Sequence, residues 1–460
     1  MAAQRDMTVG DPAKIVFSFS VPVILGNIFQ QFYAMTDTVI VGQFVGTRAL
    51  AAVGATGTIT FLILGFTWGL CAGFTVPMGQ RFGAGDIRGM KKAAGNALSL
   101  SLLFALIITV LSLLGMRRLL TVMNTPPDIF DMTYEYVVII CAGLFAQTLY
   151  TMLSTMMRTL GDSRDPLIFL VVSAGLNIVL DLLFIIPFGM GVAGAAWATV
   201  ISQGVAGLCS LIFILIKMPI LRLSRTDFLP DHDLIKAQLS LGIPMALQFS
   251  ITAIGAMMLQ SSLNLLGSTA VAAYTAGGKI EQLLDQLFIG LGVTMASYCS
   301  QNAGAGKPDR VKAGVLAADR QGFLCAAVSG ISLLGFGKYL TYLFISEDIE
   351  TILPMVSVYL RCCSFFLIPL AAIFIYRNAL QGMGYSFMPL MAGVIELVAR
   401  GAVAFAAGRS RSFLGVCFAS PAAWVAAAVF LFFAYRSRMR KIEAMFRSSS
   451  ERTGEAPAHQ

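Results

Sequence analysis

Long apolar runs recur along the chain from Ile15 to Tyr435, separated by short polar stretches rich in glycine or proline. Apolar runs of about 20–28 residues are long enough to cross a bilayer as tilted helices. The pattern predicts such helices over 15–40, 49–77, 93–115, 133–157, 166–187 and 192–217. It predicts six more over 235–266, 270–299, 311–336, 352–380, 386–407 and 413–435. An all-α polytopic membrane protein of about twelve spans is therefore expected.

The pattern also repeats. FVGTRALAAVGATGTI (44–59) aligns with LLGSTAVAAYTAGGKI (265–280), placing Gly46 on Gly267 and Gly57 on Gly278. GQRFGAGD (79–86) aligns with SQNAGAGK (300–307) at the same shift. Pro22 pairs with Pro244, and TLGDSRDPL pairs Gly161 and Pro166 with Gly384 and Pro389 in GMGYSFMPL. The shift spans an even number of predicted helices, so both halves should enter the membrane in the same orientation, as parallel repeats do. The expected organisation is an N-terminal lobe (1–217), a polar connector (218–234), a C-terminal lobe (235–436) and a basic tail (437–460). Two such lobes are expected to enclose a cavity and to open it to each side in turn.

Composition agrees with the pattern. Of 460 residues, 57% are hydrophobic and 12% charged, with a mean hydropathy of +0.79. The net charge of +8 does not point to nucleic acid once its distribution is seen. Arg81, Arg88, Lys91 and Lys92 cluster in one loop, and Arg158 and Arg164 flank the next on that side. Lys217, Arg222 and Arg225 follow in the connector, then Lys307, Arg310 and Lys312, then Arg377, and Arg436, Arg438, Arg440 and Lys441 in the tail. The alternate loops are poorer: Arg48, Arg117, Arg118, Lys338, Arg409 and Arg411. The positive-inside rule then puts both termini in the cytoplasm, with the tail touching lipid headgroups. Eight cysteines in apolar surroundings and two histidines, His232 and His459, offer no metal-ligand spacing. Residues 1–14 do not read as a cleavable signal. GAGD and GAGK lack the G-x-x-x-x-G-K-[ST] spacing of a phosphate loop, so no ATP site is expected and energy must come from an ion gradient.

Two acids interrupt the apolar runs: Asp37 in QQFYAMTDTVIVG and Asp181 in SAGLNIVLDLLFI. An Asp at the centre of a spanning helix costs roughly 2.5–3.5 kcal/mol, and such residues mark ion or substrate sites. Asn177 stands four residues before Asp181, on the same helix face.

At these residues the chain resembles the MATE family of multidrug and toxic compound extrusion transporters. The marks are the six-plus-six repeat, Pro22 and Pro244, GAGD and GAGK, AGLNIVLD, and GVAGAAWATVISQ. The resemblance covers about residues 12–438 and lies with the branch that keeps its cation site in the N-terminal lobe. It implies a cation-coupled antiporter, driven by H⁺ or Na⁺, exporting amphipathic and often cationic compounds. It places the coupling cluster on Asp37, Asn177, Asp181 and Thr199, with packing between helices as the alternative role. It implies no further cofactor, no enzymatic activity, a small-molecule substrate and a monomer in the lipid bilayer.

The C-terminal lobe holds its own acids. Glu281 and Asp285 share a helix face, with Lys279 just before them. A role in the cavity or in coupling and a role in an interhelical salt bridge or hydrogen bond both remain open for them. Glu396 and Arg400, again four apart, are expected to form a structural charge pair, because a compensated pair is the cheaper state for two buried charges. Gln31, Tyr33, Gln248 and Gln282, with Met257 and Phe288, are candidates for the cavity wall. The competing reading is a flippase for a lipid-linked precursor of the same wider superfamily. That cargo calls for a cavity rich in Arg and Lys, whereas the intramembrane charges here are mostly acidic.

Overall fold

Each predicted apolar run is helical, though the runs 133–157, 352–380 and 413–435 are each broken into two helices. The computed structural model describes residues 6–123, 125–342 and 349–453, so His459 and the end of the basic tail lie outside the described residues. The first half comprises α1 (Pro12–Phe44), α2 (Thr47–Gly83), α3 (Ile87–Val122), α4 (Phe130–Ala142), α5 (Leu144–Thr159), α6 (Arg164–Ile185) and α7 (Gly191–Lys217). Two 3-10 turns, Pro219–Leu221 and Arg225–Phe228, follow. The second half comprises α8 (His232–Asn264), α9 (Ser268–Gly304), α10 (Pro308–Thr341), α11 (Ile349–Ser364), α12 (Leu367–Gly382), α13 (Phe387–Arg409), α14 (Phe413–Cys417) and α15 (Ala419–Thr453).

Among the described residues, nine helices are long and apolar enough to span a membrane. Two bent pairs raise this to eleven: α4 with α5, at 47°, and α11 with α12, at 50°. The expected spans 133–157 and 352–380 are these bent pairs. The remaining predicted span is α9, which is long enough but too polar, carrying Lys279, Glu281, Gln282, Asp285 and Gln286.

The internal repeat is visible in the backbone. Gly46 and Gly267 precede α2 and α9 with φ of +113° and +94°. Gly85 and Gly306 follow the same helices with +75° and +66°, and Gly161 and Gly384 both stand at +91°. A side chain is strained at such angles, so the helix ends keep glycine at paired positions.

The chain divides into two compact units, one of residues 1–6 and 18–254 and the other of 7–17 and 255–460, so the divisions fall inside α1 and α8. In the first unit α2 crosses α8 at glycine. A Cβ on Gly69 would stand 2.6 Å from the Ala246 Cα, and one on Gly73 would meet the Gly242 backbone. Gln238 of α8 donates to the carbonyls of Phe74 (3.2 Å) and Ala93 (2.8 Å). The Lys92 ammonium sits 2.8 Å from Asp231 and, with the Leu234 N–H, holds that carboxyl below the usual carboxylate range. In the second unit a strap before α1 lies on the α9–α10 turn. Met7 is fully buried, its N–H donates to Gln301 Oε1 (2.9 Å), and its carbonyl accepts from Asn302 (3.2 Å) and Arg310 (3.1 Å). Arg310 also donates to the Gly10 carbonyl at 2.8 Å.

Candidate functional site

Helix α6 buries one stripe: Pro166, Leu170, Ser173, Asn177, Asp181 and Ile185. The spacing of three and four is that of one helix face. The other faces expose Ile168, Val172 and Val179 as apolar surface suited to lipid. The buried stripe meets α7, where Ala195, Ala196 and Ala198 allow close approach.

On this stripe Asn177 and Asp181 are both 0% exposed, and Asp37 of α1 is 8% exposed. The carboxyl groups of Asp37 and Asp181 lie within hydrogen-bonding reach of each other. Amide orientation follows from the neighbours. The orientation that satisfies both has Asn177 Nδ2 donating to Asp181 Oδ2 at 2.8 Å and Asn177 Oδ1 accepting from the Thr199 N–H at 3.2 Å. Tyr33 donates its hydroxyl to Thr199 Oγ1 at 3.3 Å. One oxygen of each acid, Asp37 Oδ1 and Asp181 Oδ1, is buried with no hydrogen-bond partner. Among the described residues no Lys or Arg pairs with either acid.

The structure therefore brings Asp37, Asn177, Asp181 and Thr199 together and adds three groups. Tyr33, a candidate for the cavity or for a secondary part in coupling, points into the cluster, where its hydroxyl bonds Thr199. Tyr136 of α4, 8% exposed, lies within electrostatic reach of both acids. Ser202, one turn after Thr199, bonds the Thr199 carbonyl (3.0 Å), while its own carbonyl accepts from Ser173 (2.9 Å). Ser202 was open to the i, i+3 spacing; Tyr136 had no local signal at all.

In the C-terminal lobe the two acids have different surroundings. Lys279 is exposed, and among the described residues no ion pair joins it to Glu281 or Asp285. Glu281 is buried and accepts from the Tyr359 hydroxyl and, at 3.8 Å, from the Cys363 thiol, both of α11. The i, i+4 spacing put the two acids on one face but could not show that α11 brings hydroxyl and thiol donors to the first. Asp285 keeps a buried Oδ1 without a partner, and Gln282 is exposed. Of the other cavity candidates, Gln31 is half-buried, Gln248 is buried and Met257 is exposed. Phe288 is fully buried, a core side chain rather than a wall.

Glu396 does bind Arg400, at 2.6 Å, but it also binds Arg377 at 3.0 Å. Arg377, counted above among the loop charges, lies instead inside α12 with its side chain 15% exposed. A lone Arg near the end of an apolar run reads as a topology signal, because nothing local reveals an acid on the next helix.

The site can now be set beside known proteins. A family model described as MatE matches residues 22–183 and 244–405. The two matches begin at Pro22 and Pro244, the same pair that the internal repeat aligns. Probable multidrug resistance protein YpnP of Bacillus subtilis (strain 168) is 30% identical over 85% of this chain and 87% of its own length. The protein named FAD transporter of Shewanella oneidensis is 26% identical, covering 84% of this chain and 85% of its own. A crystal structure of a MATE protein in complex with MaL6 superposes with a TM-score of 0.90 at 26% identity, covering 95% of this chain and 99% of that one.

Proposed function

This chain belongs to the MatE family of membrane transporters, and on that premise we propose that it is an antiporter that exports amphipathic, often cationic small molecules in exchange for H⁺ or Na⁺. Coupling rests on the cluster of Asp37, Asn177, Asp181 and Thr199, with Tyr33 and Tyr136 around it. The observation that carries this reading is two carboxyl groups within hydrogen-bonding reach, buried among helices long and apolar enough to span a membrane, with no Lys or Arg paired to either among the described residues. Two adjacent carboxylates do not both stay ionised at low cost, so the pair holds a shared proton or a bound cation and titrates as a unit. The amide and hydroxyl oxygens beside them are hard donors that suit either. Multidrug export is in the name of the Bacillus relative and flavin transport in that of the Shewanella relative. The acidic character of the cluster favours a cationic cargo over a pyrophosphate. Loop charge places both termini in the cytoplasm of a multi-pass cell-membrane protein.

Proteoliposomes holding the purified chain test this under an imposed pH gradient or an imposed Na⁺ gradient, with ethidium or norfloxacin as cargo. One of the two gradients drives efflux. Asp37→Asn and Asp181→Asn each abolish it while keeping expression, since the amide preserves shape and removes charge. Wild-type rates in both variants rule out coupling at this cluster.

A further inference from the structure

The second unit contains another carboxyl, half-buried in a helix long and apolar enough to span a membrane, that none of the roles above uses. Asp319 of α10 stands eleven residues from the start of the helix at Pro308, about 16 Å along the axis at 1.5 Å per residue. Its Oδ2 accepts from the hydroxyl of Tyr376 on α12 at 2.9 Å. Among the described residues no Lys or Arg forms an ion pair with it. A carboxyl in a spanning helix without a counter-charge is a functional position by default.

The second observation is Tyr435 of α15. This residue is 8% exposed, and its hydroxyl is buried with no hydrogen-bond partner. Its ring lies 5.4 Å from that of Tyr376, and Asp319 is within its electrostatic reach. A buried hydroxyl left without a partner is costly and is seldom retained without a role. One is retained here on a ring packed against Tyr376, the partner of Asp319. The charged and titratable groups around the trio are few. Cys299 of α9 is fully buried, Glu443 of α15 is engaged by Lys312, and Arg436, within electrostatic range of Tyr376, lies over the Phe432 ring at 5.2 Å. Arg320, next to Asp319 on α10, is exposed. Arg377, next to Tyr376, is held by Glu396.

We propose that Asp319, Tyr376 and Tyr435 form a second proton-binding site, within the C-terminal lobe and separate from the Asp37–Asp181 cluster. Asp319 takes up and releases the proton. The Tyr376 hydroxyl holds the carboxylate when the proton is absent, and the Tyr435 hydroxyl is the free acceptor and donor beside it. A hard metal cation such as Ca²⁺ or Mg²⁺ collects six or more oxygens; the trio offers one carboxyl and two phenols, whereas a proton needs a single acceptor.

The test is pH-difference infrared spectroscopy of the full-length protein in lipid nanodiscs, with H⁺ as the probe and Na⁺ added at fixed pH in a second arm. The wild type should show a carboxylic-acid C=O band that D319N loses and that the double variant Asp37→Asn, Asp181→Asn retains. Y376F and Y435F keep the carboxyl and should shift the frequency of that band. The proposal is overturned if a monodisperse D319N keeps the full wild-type spectrum, or if the band is lost instead in the Asp37, Asp181 double variant. It is also overturned if the band is unmoved in both tyrosine variants, or if Na⁺ removes it at fixed pH. The last outcome would make this a metal site. The N-lobe reading is tested by efflux in the Asp37 and Asp181 variants, so the two fail separately.

Discussion

Glu396 holds two arginines, and that number decides what its loss does. Its carboxylate is shared between Arg377 on the preceding helix and Arg400 on its own. All three side chains are 15% exposed or less. Removing one partner of a buried ion pair leaves an uncompensated charge and costs about 3–5 kcal/mol. Glu396→Gln strands two, so a large fall in the thermal unfolding midpoint of the purified protein is expected, larger than for Arg377→Gln, which leaves a matched pair. At the other end of the scale, Asp86 caps α3 by accepting from the Gly89 N–H at 2.8 Å. This bond, with the Arg81 guanidinium 3.0 Å away as a lesser cause, holds the Asp86 carboxyl below the usual carboxylate range. Both charged side chains are more than 40% exposed, so the ion pair itself contributes little. Loss of an N-cap costs about 1 kcal/mol. A depressed folded-state value means that the cap contributes fully above the unfolded carboxyl pKa of about 3.9. That contribution fades as pH falls through the lower folded value. The difference in unfolding midpoint between wild type and Asp86→Ala should therefore hold from neutral pH to about 4 and shrink below it.

Helices here are placed by small residues as much as by apolar ones. The α2–α8 crossing depends on Gly73 against Gly242, where backbone meets backbone. Overpacking such a contact costs about 1–3 kcal/mol, and Gly73→Ala has no flexible side chain to push aside. Gly115 of α3 is the matched control, with nothing within 4 Å of a built Cβ. Gly115→Ala should be neutral or stabilising by up to about 1 kcal/mol through helix propensity. Thermal melts of the two variants in one detergent check the contrast. The bend between α4 and α5 and that between α11 and α12 also belong to this scale. The hydrophobic pattern runs unbroken through each, so a pattern reading draws one straight helix where the chain makes two.

For the whole molecule, loop charge gives a direct test of orientation. The Arg and Lys clusters at 81–92, 217–225, 307–312 and 436–441 lie on one side in the twelve-span reading. A fluorescent protein fused after the tail should fold and fluoresce, because it matures in the cytoplasm. Alkaline phosphatase at the same place should be inactive, and inserted between α3 and α4 it should be active. The reverse pattern would invert the topology. Orientation bears on energetics, since a membrane potential contributes about 2.3 kcal/mol per charge per 100 mV to a cation entering through the proposed N-lobe cluster.

The sequence by itself determined the fold class, the order of the helices, the internal repeat and the identity of the acids in the N-terminal lobe. Hydrophobic period, glycine at helix ends and the rarity of charge in apolar runs are local properties, written within a few residues of each other. Asn177 and Asp181 could be placed on one face for the same reason. Only the tertiary structure decided what each acid touches. Tyr33 reached Thr199 beside the N-lobe acids, Tyr359 and Cys363 joined Glu281, Arg377 joined Glu396, and Tyr376 joined Asp319. Each of these partners comes from a different helix. Side-chain chemistry in a helical bundle is set across helix interfaces, where sequence spacing carries no information about which residue lies opposite.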